Sequence, residues 1–589
     1  MVEYGVFRRT TLLHLALWFG LVAGFVDVVV TSAAWLFGAT YILFSPHYVW
    51  MAPMADVAIF AAVAVALMLA GWIKPALVAP FWVVLVFAFL FFQSAIFPAG
   101  EVHFSARWIL AAGLAVQAAR VLSKHLDGLR TVMVWTTPLM VVLTLGLAAF
   151  NLAGPAIAER RQLSLLPGAR AEAPNVVLLV LDTVRAENMS LYGYRQDTTP
   201  ALRELARHAI VFDNAISPSP WTLPAHASMV TGHPPFDLSA TWQIALDATY
   251  PTVSEAFQSD GYVTAGFVAN PWYAGRPSGL NRGFAHYEDY PVTLNVALTT
   301  SSLGEVIFGG RVNTTNVLRR LVGEDQPFGR QSAERIRGNF TTWLDSRRDA
   351  RPFFVFMNWF DAHWPYHPPE AFRRRFRQGV NERNRPDREV DAYDALLAYL
   401  DQQINMLMED LERRHLMENT IIVITADHGE QFGEHGLQRH GNSLYRQLLH
   451  VPLMIVQPRS SVSGRRVEAP VSLTDLPATL MELAALDSTF PGVSLARFWN
   501  GASLAGEAPI LSEVRKGINT APDLPVSRGD MLSLVGFGLH FIRNGDAVEE
   551  IYSFDNDRAE SFNLAGSPQA APFVEQFRSL AAAIGAARR

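Results

Sequence analysis

The feature that most constrains this chain is a run of long apolar segments between Thr11 and about Gly154. Five spans can be read in it: Thr11–Ala33, Val49–Trp72, Ala76–Phe97, Phe104–Val121 and Val132–Leu152. Each is about long enough to cross a hydrocarbon core of roughly 30 Å as a helix. The fourth carries Arg107 near its start, and the first continues in apolar sequence to Phe44 with Asp27 inside it. Several spans follow the first, and no short run ends in a small-residue cleavage site. The expectation is therefore a membrane domain and not a removable signal. Asp27 and Asp56 lie in apolar sequence with no Lys or Arg inside their own spans, so the simplest expectation is a bundle-facing carboxylate with a local partner and not a proton relay. The same absence weighs against a transporter with an appended domain.

Basic residues set an expected orientation. Arg8 and Arg9 precede the first span, Lys74 lies between the second and third, and Arg120, Lys124 and Arg130 lie between the fourth and fifth. The alternate loops are poorer in cations, so the N-terminus is expected in the cytoplasm. Five spans then place everything after Leu152 outside; Arg160 and Arg161 oppose this but are outnumbered.

The rest of the chain reads differently. A tether is expected over Ala156–Pro174, where charge, Gly and Pro mix. Short apolar runs follow at Asn175–Leu181, Tyr262–Val268, Phe353–Asn358, Ile421–Thr425 and Pro452–Val456, with helical patterns between them at Ala201–His208, Val253–Gln258 and Ala392–Arg413. Strands alternating with helices predict a largely parallel α/β sheet covered on both faces. Leu532–Phe554 holds two strand-like pieces around Arg543-Asn544-Gly545-Asp546, a hairpin and the germ of a small antiparallel sheet. Leu294–Arg337 has weak periodicity and reads as a variable insertion. Phe372–Arg388 is a basic run, read as a solvated loop or as a contact with anionic lipid headgroups. The expected organisation is a membrane domain over 1–155, a linker over 156–174, a catalytic domain over 175–530 and a C-terminal hairpin subdomain and tail over 531–589.

Three of the strand candidates end in residues that can hold a metal ion. Asn175–Leu181 ends in Asp182-Thr183, Phe353–Asn358 leads into Asp361-Ala362-His363, and Ile421–Thr425 leads into Asp427-His428, with His435 and His440 close behind. Ligands of α/β sheets bind outside the carboxyl ends of the strands. Asp with adjacent His suits a divalent ion such as Zn or Mn. A nucleophile candidate lies in Ser217–Gly232, where Thr222 precedes Leu223-Pro224-Ala225-His226. Thr before a Pro-initiated helix predicts an N-cap. The same place suits phosphate binding by free N–H groups, and a hydroxyl there that touches a metal ion can attack phosphorus. His226, one turn on, would face the same anion. The net charge of −6 argues against nucleic-acid binding, and the absence of cysteine removes disulfides, Cys-based zinc sites and a Cys nucleophile.

From about Asn175 onward these residues, in this order, resemble the sulfatase branch of the alkaline phosphatase superfamily. The resemblance implies an α/β catalytic domain with a mainly parallel sheet and a small C-terminal antiparallel sheet, behind the multi-span membrane domain. Asp182 stands where the family's first strand ends in acidic metal ligands, and Thr183 replaces the second acid. Thr222-Leu223-Pro224-Ala225-His226 stands at the family's Cys/Ser-x-Pro-x-Arg motif, with Ala227-Ser228 and Thr231-Gly232 after it. His363 matches the histidine that precedes a Pro, Asp427-His428 the metal pair, and His440 the position of a substrate-binding Lys. Glu550-Ile551-Tyr552, Glu560 and Asn563-Leu564 match the closing pattern. The resemblance implies one divalent ion (Mn, Zn, Ca or Mg, with Mn or Zn favoured) held by Asp182, Thr222, Asp427 and His428. Thr222, His226, His363 and His440 would carry catalysis, with Thr183 and His435 in contact with substrate. Asp361 and His435 could complete a second metal site.

Sulfate-ester hydrolases of this family use a formylglycine made from Cys or Ser. Thr222 cannot give that aldehyde, because its extra methyl would leave a ketone. A threonine nucleophile is similar instead to the phosphoethanolamine and phosphoglycerol transferases of bacterial envelopes, which also carry about five spans. The expectation is a hydrolase or transferase at a bacterial-type inner membrane, its catalytic domain periplasmic. Membrane lipids would be its partners and a phospholipid or glycan its substrate. A true sulfuric ester hydrolase and a non-catalytic envelope binding protein are the rival readings.

Overall fold

The computed structural model describes residues 2–3, 6–38, 45–97, 103–170, 172–308, 330–376, 388–458, 464–487, 489–500, 509–517, 520–568 and 570–587. By compactness the chain divides into two units, one of residues 1–158 and 290–329 and one of residues 159–289 and 330–589. Part of the insertion expected at Leu294–Arg337 thus belongs with the apolar N-terminal part, and most of the basic run at Phe372–Arg388 lies outside the described residues.

In the first unit all five expected segments are helical: α1 (Arg9–Gly38), α2 (Tyr48–Ile73), α3 (Pro80–Ile96), α4 (Phe104–Leu122) and α5 (Leu126–Leu165). Three of them, α1, α2 and α5, are long and apolar enough to cross a membrane, not the expected five. α3 has 17 residues, near 25 Å at 1.5 Å per residue, short of the roughly 30 Å core. α4 is diluted by Arg107 and Arg120. α5 runs on through the first ten residues of the expected tether to Leu165. Its apolar side chains, among them Trp135, Leu139, Val142 and Phe150, are exposed, and lipid is the solvent such a surface suits. α1 and α2 cross closely because Gly20 and Gly24 face the backbone of Val57 and Pro53, where an added Cβ would come within 2.6 Å.

The two carboxylates within the apolar helices have partners close by, as expected. Asp27 is buried and accepts hydrogen bonds from the Ser302 hydroxyl (2.6 Å) and backbone N–H (2.7 Å) and from Thr31 (3.3 Å). Ser302 opens the short helix Ser302–Phe308, directly after the helix Leu294–Thr300. Asp56 accepts from Ser94 of α3 at 3.2 Å.

The second unit is built on an eight-stranded sheet. Its strands are β1 (Asn175–Leu181), β2 (Ile210–Ile216), β3 (Val263–Val268), β4 (His286–Glu288), β5 (Phe353–Trp359), β6 (Thr420–Ala426), β7 (His450–Val456) and β8 (Arg465–Ser472), in the order β8-β2-β7-β6-β1-β5-β3-β4. Every pair is parallel except the two made by β7. β1, β5, β6 and β7 are buried at every position, which is why they read as continuous apolar runs. α6 (Thr222–Thr231) follows β2, α7 (Ala333–Ser346) precedes β5 and α8 (Arg388–Arg413) precedes β6. A second sheet is antiparallel throughout: β9 (Ile510–Val514), β10 (Met531–Gly536), β11 (Leu539–Arg543) and β12 (Glu549–Ser553). The expected hairpin is β11–β12, and two further strands extend it. A final helix, α9 (Ala571–Ala587), packs Val574 and Phe577 against Leu534, Phe541 and Ile551 of this sheet.

One cluster in this unit ties stability to pH. His286 lies 2.9 Å from Glu159 and 2.9 Å from Glu288. Burial disfavours the charged ring, but the two carboxylates outweigh it and push its pKa from 6.5 up to about 9. A raised folded-state pKa contributes stability that is complete below the unfolded value and lost as pH rises through about 9. His286→Gln should therefore lower Tm at about pH 6 and leave little difference near pH 10. An equal loss at both pH values would show that the ring acts by packing alone.

Candidate active site

β6, β1 and β5 are adjacent and parallel, so their carboxyl ends open side by side. Asp182 follows β1, and Asp427 and His428 follow β6. One ligand atom from each of these three residues lies within 4.8 Å of the others, and all three side chains are wholly buried. Asp182 Oδ2 accepts from Asn270 (3.0 Å) and Asn358 (3.4 Å). Asp427 Oδ1 accepts from the backbone N–H of Thr183 (3.1 Å) and of His428 (2.8 Å). That leaves Asp182 Oδ1 and Asp427 Oδ2 buried without a hydrogen-bond partner.

An unpaired buried carboxylate is among the costliest groups a fold can hold. Burial, reinforced by the Asp427 charge, pushes the Asp182 carboxyl well above the usual carboxylate range. A divalent cation among these oxygens removes both costs, and two carboxylate oxygens with an imidazole nitrogen match Zn or Mn. His428 is prepared for the same role. Its Nδ1 faces the Gly429 carbonyl at 3.0 Å and so carries the hydrogen, which leaves a lone pair on Nε2. Burial lowers its pKa to about 4 against the pull of Asp427, so the ring stays neutral at ordinary pH.

Thr222 joins this cluster. Its Oγ1 lies 3.2 Å from His428 Nε2, and the residue is buried. It is not the N-cap that the sequence suggests: Trp221 takes that position in extended conformation, and Thr222 is the first helical residue, with no side-chain capping bond. The hydroxyl is thus turned toward His428 and not spent on the helix. One turn on, His226 Nδ1 contacts the Thr222 carbonyl (2.8 Å) and lies 3.6 Å from Asp427, while its Nε2 is buried without a partner.

His363 and His440 complete the group. The His440 ring packs on those of His428 (4.5 Å), His363 (5.0 Å) and Trp221 (5.2 Å). Its Nδ1 is 2.9 Å from Glu430, whose other oxygen accepts from Tyr366. His363 Nδ1 contacts the Trp364 carbonyl, and burial beside His440 and Arg330 holds the ring well below the usual histidine range.

Three expected residues stand elsewhere or do something else. Thr183 is wholly buried, with its hydroxyl donating to the Asp182 carbonyl, so it offers substrate nothing. It sits at φ 60°, rare for a β-branched residue, and that bend aims its N–H at Asp427. His435 is exposed and stacks on Tyr445 at 3.6 Å, with no contact to the histidine cluster among the described residues. Asp361 accepts from Ala333 N–H at the start of α7. Asp361 and His435 therefore do not come together as a second metal site; among the described residues the one such grouping is Asp182, Asp427 and His428. Asn270, Asn358, Glu430 and Arg330 were not singled out from the sequence. The first two close β3 and β5, the strand-end position that already marked Asp182. Arg330 holds the Phe360 and His363 carbonyls at 2.9 and 2.7 Å from the edge of the insertion, where no pattern pointed to it.

Known proteins are similar to this chain in sequence and in fold. The family model described as "Sulfatase" matches residues 174–486. Human iduronate 2-sulfatase (Homo sapiens) is 24% identical over 68% of this chain and 77% of its own length. Human arylsulfatase A is 25% identical over 71% of this chain and 90% of its own. The match spans 61% of mouse (Mus musculus) iduronate 2-sulfatase. Among solved structures, phosphonate monoester hydrolase of Agrobacterium radiobacter superposes with a TM-score of 0.57 at 18% identity, over 71% of this chain and 96% of that one. BT1596, a 2-O GAG sulfatase, gives 0.53 at 19%, over 71% and 93%.

The ligand assignment predicts the metal content of purified protein. Elemental analysis should find about one divalent ion per chain in the wild type and in His435→Ala, and almost none in Asp427→Ala. Full metal in Asp427→Ala would overturn the assignment.

Proposed function

The chain belongs to the sulfatase family, and on that premise we propose that it is a membrane-anchored, metal-dependent phosphoester hydrolase or transferase with Thr222 as its nucleophile. The coarser part is established by the family: it is a hydrolase of the alkaline phosphatase superfamily. The observation that carries the finer part is the Thr222 hydroxyl, buried at the start of α6, uncommitted to capping and 3.2 Å from His428 Nε2. Oxidising its carbinol carbon would give a ketone, so the formylglycine route is closed to this residue.

Asp182, Asp427, His428 and the Thr222 oxygen would hold one divalent ion, which when bound supplies Lewis-acid polarisation and lowers the pKa of a hydroxyl it touches. The chain's own residues do the rest. Thr222 Oγ1 gives up its proton to solvent and attacks phosphorus in line; the new Oγ1–P bond forms as the P–O bond to the leaving alcohol breaks, leaving a phosphothreonine. Free N–H groups in the first turn of α6 receive a non-bridging oxygen. His226 holds the Thr222 carbonyl and keeps that turn in place. His440 donates its Nδ1–H to Glu430, whose negative charge favours the imidazolium form of the ring, and that form hands its Nε2 proton to the leaving oxygen. Water or an acceptor alcohol then takes the phosphoryl group. Most of the barrier reduction in such a reaction comes from positioning and charge stabilisation.

The three apolar helices support the anchor, and the basic residues flanking the spans support a cytoplasmic N-terminus with the catalytic unit outside an inner membrane. A site so tethered suits phospholipid headgroups or envelope glycans. One specific observation favours a second reading, sulfate-ester hydrolysis: the relatives that match over most of their length are named sulfatases.

Paired p-nitrophenyl phosphodiester, phosphomonoester and sulfate substrates with Mn or Zn separate these readings. Phosphodiester turnover is expected to be fastest and to fall on the order of a thousandfold or more in Thr222→Ala. Sulfate turnover above both phosphate esters, or full activity in Thr222→Ala, would overturn the proposal.

A further inference from the structure

The two histidines at the edge of the catalytic cluster face opposite kinds of partner. His440 turns its Nδ1 to a carboxylate, that of Glu430, at 2.9 Å. His363 turns its Nδ1 to a carbonyl, that of Trp364, at 2.6 Å. A carbonyl only accepts, so His363 Nδ1 carries the hydrogen. Burial, with His440 and Arg330 close by, holds this ring well below the usual histidine range and so neutral at ordinary pH. Its Nε2 is therefore a lone pair. No hydrogen bond from the described residues reaches that nitrogen, and the residue is only partly buried. The two rings lie 5.0 Å apart at 67°. One offers the site a donor and its neighbour an acceptor.

The His363 lone pair is also held in place. Buried Arg330 donates to the carbonyls of Phe360 (2.9 Å), His363 (2.7 Å) and Pro365 (3.2 Å), which fixes the backbone on both sides of the ring. Its guanidinium lies 4.4 Å over the Phe360 ring, and that ring packs on His363 at 4.3 Å. Backbone and ring are thus gripped by one cation and one aromatic side chain. A group oriented this firmly, with its outward nitrogen unused, suits work on a reacting atom.

An acceptor nitrogen cannot serve atoms that carry only lone pairs. The non-bridging phosphoryl oxygens and the departing oxygen are of that kind, and a neutral His363 Nε2 would repel them. In the phosphothreonine route proposed above, on which this inference rests, one reacting partner brings an O–H: the water or alcohol that takes the phosphoryl group. In-line transfer brings it in on the side from which the first alcohol left, beside His440. We propose that His363 is the catalytic base of this second half-reaction, its Nε2 receiving the O–H of the incoming water or alcohol. The O–H bond breaks as the oxygen bonds to phosphorus and the P–Oγ1 bond breaks. The proton passes to Nε2 and on to solvent, and Thr222 Oγ1 takes a proton from solvent. The attacking oxygen turns acidic as it bonds to phosphorus, so a weakly basic ring is enough.

The test is rapid mixing of the full chain, in mild detergent with Mn, with methyl p-nitrophenyl phosphate. In His363→Ala the first p-nitrophenol, about one per chain, should appear at the wild-type rate. Steady turnover should then run about a hundredfold below wild type. Methyl phosphate should accumulate on Thr222, read by mass spectrometry of the quenched protein. His363→Gln, whose amide oxygen accepts the same hydrogen bond but not the proton, should turn over at a rate between the two. A first release slowed as much as turnover in both variants would place His363 in the first step and overturn the proposal, as would unchanged steady turnover in His363→Ala. The nucleophile reading fails by a different sign: Thr222 left unmodified in wild type and variants alike would sink it, and this assignment with it.

Discussion

Two carboxylates buried side by side, at the carboxyl ends of adjacent parallel strands, set the terms for the catalytic unit. Asp182 and Asp427 each have one oxygen tied by hydrogen bonds and one left without a partner. Such an arrangement is stable only if a cation or protons occupy the space between the free oxygens. The surrounding structure serves that requirement. Asn270 and Asn358 pin the first carboxylate, Thr183 accepts a strained backbone to pin the second, and the Gly429 carbonyl fixes which nitrogen of His428 points inward. Thr222 enters the same space because Trp221, and not Thr222, takes the extended position ahead of α6.

A similar economy governs the apolar unit. Asp27 sits inside a helix where an unpaired carboxylate would be untenable, and its partners come from Ser302, 275 residues along the chain. The segment that looks least regular in sequence therefore supplies the groups that make a buried charge tolerable. The close approach of α1 and α2 at Gly20 and Gly24 shows the other route to cohesion in an apolar bundle, backbone contact without side chains.

Much of this was legible because burial on both faces leaves a strong mark. β1, β5, β6 and β7 read as strands since each is an unbroken apolar run, and Asp182, Asp427 and His428 stood out by following such runs directly. Where the reading missed, a local pattern could not report a tertiary choice. Thr222 has the spelling of an N-cap, yet the helix begins one residue earlier. His435 lies five residues before His440, but its left-handed backbone turns it onto Tyr445. Glu430 and Arg330 act through partners remote in the chain, Tyr366 in one case and the Phe360 and His363 carbonyls in the other, and sequence spacing says nothing about such pairs.

Legible along the chain alone were an apolar helical part ahead of an α/β unit, residues able to hold a metal ion at the ends of its central strands, and a threonine at the start of a Pro-containing helix. These follow from composition, periodicity and local order along the chain, which survive without knowledge of contacts. Which carboxylate oxygens stay unpaired, which histidines share one cluster, that Thr183 positions while His435 stands apart, and that Ser302 answers Asp27 came only with the fold. Those depend on which residues distant in sequence meet in a dry interior, where an unmatched polar group is too costly to leave to chance.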